Sequence, residues 1–166
     1  MPEQQQTPTI QQAIDLGVQH HKAGRLPQAE RIYQQILQAD PNQPVAMHML
    51  GVIAYQVGKN DVAVELITKA LAIKPDYAEA HSNLGLALQG LGRLEEAVTS
   101  YQKALAIKPG YAEAHGNLEL ALQDQGNVDR AAKQIDLALS YQPENAGLLI
   151  RKALLLPVIP FSQEEI

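Results

Sequence analysis

Apolar and small residues recur along this chain at intervals of three and four, which is the spacing of one face of an α-helix. One such stripe comprises His81, Leu84, Gly85 and Leu88. A second comprises Leu94, Ala97, Val98, Tyr101, Ala104 and Leu105. Gly92 between them suits a helix C-terminus, and Pro109 ends the second stripe because it lacks an amide hydrogen. The pattern predicts two antiparallel helices joined by a tight turn.

This two-helix pattern repeats every 34 residues. Prolines mark the period at Pro41, Pro75, Pro109 and Pro143. Residues 70–75 return as residues 104–109, and residues 77–81 return as residues 111–115. A fixed period in this range is typical of stacked units, each of which needs its neighbours to bury its apolar face. We therefore expect one uninterrupted array of helical hairpins.

The spacing resembles that of the tetratricopeptide repeat. In the third copy the matching residues are His81, Leu84, Gly85, Leu88, Ala97, Tyr101 and Pro109. The resemblance implies an all-α, right-handed superhelical solenoid of helix-turn-helix hairpins, with four repeats at residues 10–43, 44–77, 78–111 and 112–145. Residues 1–9 are then a disordered N-terminal tail, and residues 146–166 are a capping helix followed by a truncated connector.

Glycine recurs at one place in the first three copies, as Gly17, Gly51 and Gly85. Glycine inside a helix costs about 1 kcal/mol relative to alanine, so its recurrence indicates that the two helices of a hairpin approach closely. Glu119 fills the same place in the fourth copy. Either its stem bends outward to reach water or the fourth hairpin is splayed, and we expect the first of these.

The resemblance also implies where a ligand lies. In tetratricopeptide repeats the first helix of each hairpin lines the concave face, with its second, fifth, sixth, ninth, twelfth and thirteenth residues turned inward. The candidate residues of the peptide-binding groove are therefore His48, Val52, Tyr55, Glu79, Ser82, Asn83, Leu86, Gln89, Glu113, Asn117 and Gln123. Such a groove is apolar at its N-terminal end and amide-rich and mildly acidic further on.

Asn83 and Asn117 are the most specific of these candidates. A carboxamide carries a donor and an acceptor, so it can pair with the backbone of any ligand sequence. Residues 78–85 and 112–118 resemble the repeats of O-linked N-acetylglucosamine transferases, which hold protein substrates with an asparagine ladder. The ladder is incomplete here, because Asp15 and Met49 fill the same place in the first two copies. The alternative is that both asparagines are solvated residues that were copied when the repeat duplicated.

The predicted function is to bind a protein or an extended peptide. The resemblance to the transferase repeats implies the substrate- or partner-recognition region of a larger O-GlcNAc-transferase-like protein. The alternative is a self-assembling scaffold without an attached enzyme. A reading frame that continues well past Ile166 favours the first of these.

Composition narrows the class of partner. The formal net charge is −5 and the acidic and basic residues are intermixed, so the clustered basic surface that nucleic acid requires is not expected. The apolar stretch at residues 153–161 is interrupted by Pro157 and Pro160 and is shorter than the ~20 residues of a membrane span. The polar N-terminus lacks the features of a signal peptide, so a cytoplasmic location is expected.

No residue pattern indicates chemistry, so neither a catalytic site nor a cofactor is expected. The chain has no cysteine, which excludes disulfides and thiolate ligands. His81 and His115 lie one repeat apart, about 10 Å, whereas a shared zinc ion needs each nitrogen within about 2.1 Å. These histidines occupy a packing position, so we expect them in the core and no metal site.

The C-terminal segment is the candidate surface for self-association. Its apolar residues are Leu154, Leu155, Leu156, Val158, Ile159 and Phe161. A terminal repeat normally presents a polar outer face, and this segment is more apolar than that. Residues 162–165 then read as a capping box that begins another helix, so we expect the natural protein to continue beyond Ile166.

Overall fold

A computed structural model describes residues 9–155 of the chain. Within this range nine α-helices follow one another and no strand occurs. The helices are α1 (Ile10–Lys22), α2 (Leu26–Ala39), α3 (Pro44–Gln56), α4 (Asn60–Ile73), α5 (Ala78–Gly90), α6 (Leu94–Ile107), α7 (Ala112–Asp124), α8 (Val128–Tyr141) and α9 (Ala146–Leu155). The first eight form four hairpins, and α9 occupies the place of a fifth first helix.

Each hairpin turn is built around a glycine. Gly92 follows α5 at a φ of 72°, a left-handed conformation that a side chain would strain. The amide of Arg93 donates to the Leu88 carbonyl at 2.9 Å, and this bond closes the end of the helix. The remaining three hairpins have the same turn. The predicted helix boundary at Gly92 is confirmed.

The close approach predicted within each hairpin is present in the first three. A Cβ atom added at Gly85 would lie 2.5 Å from Cε1 of Tyr101, and one added at Gly51 would lie 2.5 Å from Cγ1 of Ile67. Tyr101 and Ile67 are fully buried. The absence of a side chain on the first helix therefore makes room for a large side chain of the second helix.

The hairpins stack in chain order. The second helix of each hairpin packs on the first helix of the next, as α4 on α5 and α6 on α7. First helices also contact each other directly, α3 with α5 and α5 with α7. The predicted all-α solenoid of helical hairpins is thus confirmed. The sides of α1, α3, α5, α7 and α9 that face away from the second helices form a continuous surface that we call the trough.

The third and tenth places of each first helix face the preceding hairpin. Ala46, Ala80 and Ala114 fill the third place and are fully buried. In α1, which no hairpin precedes within the described residues, these two places hold the exposed residues Gln12 and Gln19. Leu16 lies between them on the same face of α1 and is 47% exposed. The N-terminal end of the solenoid therefore presents two amide side chains beside one leucine, and is more polar than the buried faces between hairpins.

None of the helices within residues 9–155 is both long enough and apolar enough to cross a membrane.

Candidate peptide-binding trough

The structure places most of the predicted groove residues on the trough. Glu113 is exposed. The half-buried residues are Val52, Tyr55, Glu79, Asn83, Leu86, Gln89, Asn117 and Gln123. They lie along α3, α5 and α7 in rows spaced by the 34-residue period. The same kind of side chain recurs between α5 and α7 in each row, and in all three helices only at the ninth place.

His48 and Ser82 are different, because they are buried. Their exposed fractions are 3% and 0%, so neither side chain offers surface to a ligand, contrary to the sequence-based expectation. The physical reason is that the fifth place of a first helix turns toward the next hairpin. His48 is covered by Tyr77, whose hydroxyl lies 2.9 Å from Nδ1, and by Asn83, whose Nδ2 lies 2.8 Å from Nε2.

The imidazole of His48 is neutral in this environment. Burial lowers its pKa to about 4, and the nearby Glu79 opposes this only weakly. Nε2 accepts a hydrogen bond from the Asn83 amide group, so the ring proton is on Nδ1, which donates to the Tyr77 oxygen. Burial and then Glu79 raise the pKa of Tyr77. The three side chains join the second hairpin to the third.

The two asparagines of the predicted ladder are not equivalent. Asn83 uses one of its N–H groups on His48. Nδ2 of Asn117 is buried and has no hydrogen-bond partner among residues 9–155. In α9 the same place is taken by Arg151, whose Nη2 donates to the Gly116 carbonyl at 3.1 Å. The sixth place of a first helix thus reaches back toward the preceding hairpin as well as facing the trough.

Glu119 does not reach water, so the favoured expectation for this residue is wrong. Its side chain is fully buried and forms an ion pair with Arg151. It also accepts a hydrogen bond from Nε2 of Gln123. The neighbouring Leu118 and Leu122 are buried, so the fourth hairpin is packed rather than splayed. A buried carboxylate is tolerated here because α9 supplies a positive charge.

Sequence reasoning missed Arg151, although a signal was available. Arg151 follows Asn117 by 34 residues, so the period alone places it in line with the two asparagines. Burial lowers the pKa of its guanidinium group below the usual value. Arg151 therefore extends the sixth-place row into the fifth first helix, with a charge in place of an amide.

The twelfth and thirteenth places form one rim of the trough. Nε2 of His21 lies 2.8 Å from Oε1 of Gln56, and Nε2 of Gln89 donates to Asp124 at 2.9 Å. The hydroxyl of Tyr101 donates to the other amide atom of Gln89 at 3.1 Å. The bonds of His21 and of Asp124 connect successive first helices, while that of Tyr101 lies within the third hairpin. Much of the rim's hydrogen-bonding capacity is therefore already used within the chain.

The acidic residue Glu79 lies on the trough in α5. Burial raises the pKa of Glu79, but hydrogen bonds from its own backbone and from Lys108 outweigh this effect, so the pKa lies below its usual value. Nζ of Lys108 lies 3.3 Å from Glu79.

Residues 9–155 contain no group of three or more His, Asp or Glu side chains that could hold a metal ion.

The predicted self-association surface is described only at its start. Leu154 is 79% exposed, and α9 includes Leu155, whose side chain lies outside the described part of the structure. Leu156, Val158, Ile159 and Phe161 also lie outside the described residues. Two further apolar residues of α9 are exposed, Leu149 at 48% and Ile150 at 61%.

Comparison with sequence families gives consistent results along the chain. Three family profiles, each described as tetratricopeptide repeat, match residues 11–35, 48–112 and 88–154. No curated protein sequence matches the chain significantly.

Solved structures with the same architecture include MamA, which is 27% identical over 84% of this chain and 81% of that chain, with a TM-score of 0.76. The Thermobaculum terrenum O-GlcNAc transferase is 29% identical over 80% of this chain but only 26% of that chain, also with a TM-score of 0.76. Pseudomonas aeruginosa pilF has a TM-score of 0.82 over 89% of this chain and 67% of that one, at 24% identity, which supports the fold alone.

Proposed function

We propose that this chain, which belongs to the tetratricopeptide repeat family, binds an extended segment of another protein in its trough. Repeats of this family form protein-interaction domains, and the trough is the surface where equivalent places of successive first helices recur at regular intervals. The observation that carries the proposal is the direct contact of α3 with α5 and of α5 with α7, which makes that surface continuous. A continuous row of equivalent places suits an extended polypeptide, because its backbone groups also recur at regular intervals.

We further propose that the chain is the recognition region of a larger O-GlcNAc-transferase-like protein. Its similarity to the Thermobaculum terrenum enzyme supports this, because the chain matches about a quarter of that protein, 26% of its length. In this proposal the repeats at 10–43, 44–77, 78–111 and 112–145 hold the client, residues 146–166 connect to the rest of the protein, and the isolated chain has no transferase activity. A stop codon directly after Ile166 would exclude the attachment.

Peptide selection tests the binding proposal. Random dodecapeptides displayed on phage are selected on the immobilised chain, and the selected sequences are made as labelled synthetic peptides. Fluorescence anisotropy then compares the chain with its Asn117→Ala variant, which removes the amide of a half-buried trough side chain. We expect affinity to fall about tenfold, the effect of one lost hydrogen bond in a dry site.

Asn42→Ala is the matched control, because Asn42 is exposed in the turn between α2 and α3. The Asn83→Ala variant gives a second measurement, with its melting temperature recorded because Asn83 also binds His48. Affinity that is unchanged in both trough variants would exclude recognition by these asparagines.

A second candidate function is self-assembly through α9. The observation that favours it is the apolar surface of Leu149, Ile150 and Leu154, which are all exposed. The charges of the same helix are neutralised within the chain, since Arg151 pairs with Glu119 and Lys152 lies 2.7 Å from Asp136. A second copy of the chain suits such an uncharged face. Sedimentation that shows only monomer at high concentration excludes this function.

A further inference from the structure

One row of the trough is apolar in every hairpin. The ninth place of each first helix holds Val18, Val52, Leu86, Leu120 and Leu154. The first three are half-buried, while Leu120 is 43% exposed and Leu154 is 79% exposed. By contrast, the sixth place changes from acid to thioether to amide to guanidinium along the chain. The ninth-place row is therefore the most regular feature that the trough offers to a ligand.

The side chains of the ninth-place row form no hydrogen bonds, so a ligand that contacts them does not have to replace an internal partner. Asn83 donates to His48, and Gln89 is bonded to both Asp124 and Tyr101, so a ligand that pairs with these amides first displaces an internal partner. An apolar side chain that covers Leu120 only displaces water, and this displacement is favourable. Contact with the ninth-place row consequently contributes more favourable free energy to ligand binding than contact with the amide rows does.

The period of the row sets the geometry of the ligand. Neighbouring first helices lie about 10 Å apart, which corresponds to about three residues of an extended chain. In a β-strand, side chains three residues apart point to opposite faces. In polyproline II, which has three residues per turn and a rise of about 3.1 Å, every third side chain points the same way. Of these two extended conformations, only polyproline II places one apolar side chain on each first helix.

We infer that the trough recognises a polyproline II segment that carries an apolar residue at every third position. The acids Asp15, Glu113 and Asp124 on the first helices favour basic residues between them, whereas Glu79 is already paired with Lys108. This inference rests on the proposed peptide-binding function and adds the chemical class of the ligand. It assigns the main contact to the ninth-place row rather than to the asparagines.

Synthetic fifteen-residue peptides test the inference. The probe is five tandem copies of Leu-Pro-Lys, and its control is a peptide of the same composition in scrambled order. We expect the ordered peptide to bind at least about tenfold more tightly, because only its leucines fall on one face at the spacing of the row. Equal affinity of the two peptides would overturn the inference.

Variants of the row provide the second arm. Leu120→Ser and Leu154→Ser change side chains that are already exposed, so both variants should fold, and each is expected to weaken binding of the ordered peptide about three- to tenfold. Leu137→Ser is the matched control. Leu137 is 47% exposed on α8, at a place where the other hairpins carry Gln35, Lys69 and Lys103. An equal loss in the control variant would overturn the inference.

The phage-selected dodecapeptides separate this inference from the proposed function. If Asn117→Ala weakens their binding while Leu120→Ser and Leu154→Ser leave it unchanged, the apolar row is not the recognition element and the trough remains the binding site. If none of the trough variants alters binding, both the inference and the proposed function are wrong.

Discussion

A single residue, His48, joins two hairpins through the hydrogen bonds of its imidazole ring. It lies between Tyr77 and Asn83 at the junction of the second and third hairpins. The bond from Asn83 requires Nε2 to be without a proton. Protonation of His48 therefore removes this bond and also places a charge in a buried junction.

We expect the free energy of unfolding to fall as the pH is lowered from about 6.5 toward about 4. The unfolded chain takes up this proton near its ordinary pKa of about 6.5, whereas the folded chain takes it up only near pH 4, so acid favours the unfolded state in this window. The full contribution is about 3 kcal/mol, present above pH 6.5. Urea unfolding at about pH 7 and about pH 4.5 measures the loss.

His48→Gln is the control, because an amide can bond to both neighbours and does not titrate. Its free energy of unfolding should depend less on pH than that of the native chain. The same dependence in both proteins would show that His48 is not the group responsible.

The period predicts which residues are equivalent, but it does not predict what each one contacts. The sequence correctly aligns Asn83, Asn117 and Arg151 at the sixth place. It does not reveal that two of them reach back to the fifth place of the preceding hairpin, where Asn83 meets His48 and Arg151 meets Gly116. That contact depends on the stagger between neighbouring helices, which one helix's pattern cannot specify. For this reason the burial of His48 and Ser82 was not foreseen.

At the scale of helices, α9 is joined to the fourth hairpin in the same manner as a first helix within the array. Leu148 occupies the third place and is 6% exposed, like the buried alanines of α3, α5 and α7. The pairing of Arg151 with Glu119 adds a charged contact beside it. A capping helix was expected here from the resemblance to the repeat family. The ion pair was not expected, because Glu119 and Arg151 come together only once α9 is docked on the fourth hairpin.

Removing the positive partner of Glu119 should destabilise this end of the molecule. Arg151→Met leaves a buried carboxylate without a cation, and we expect the free energy of unfolding to fall by about 3 kcal/mol. The loss should be concentrated in α7 to α9. Hydrogen exchange of their backbone amides, together with urea unfolding, measures both the size and the location of the effect.

The double variant Glu119→Gln, Arg151→Met distinguishes charge from packing. It removes both charges while Gln123 can still bond to the new amide, so most of the lost stability should return. A single Arg151→Met variant that unfolds like the native chain would show that the pair contributes nothing to the docking of α9.

At the scale of the whole molecule, the two ends of the solenoid differ in polarity. The N-terminal end presents Gln12 and Gln19, with Leu16 between them, where inner hairpins bury apolar residues. The C-terminal end of residues 9–155 presents Leu149, Ile150 and Leu154, all of them exposed. The repeat period was sufficient to predict the stacked architecture, because every hairpin needs the next to cover its apolar side. The difference between the ends follows from the few places where α1 and α9 depart from the repeat.

This difference limits how copies of the chain can assemble. A head-to-tail contact would place the apolar α9 face against α1, where Leu16 is exposed but Gln12 and Gln19 on the same face would be removed from water. Two α9 faces are alike and can pack against each other about a two-fold axis, which closes the assembly at two copies. If self-assembly occurs, sedimentation should therefore show a dimer and no larger species. Ile150→Asp and Leu154→Asp should each shift the protein to monomer, while Val62→Asp, on the exposed side of α4, should not. Filaments that grow with concentration would contradict the closed arrangement.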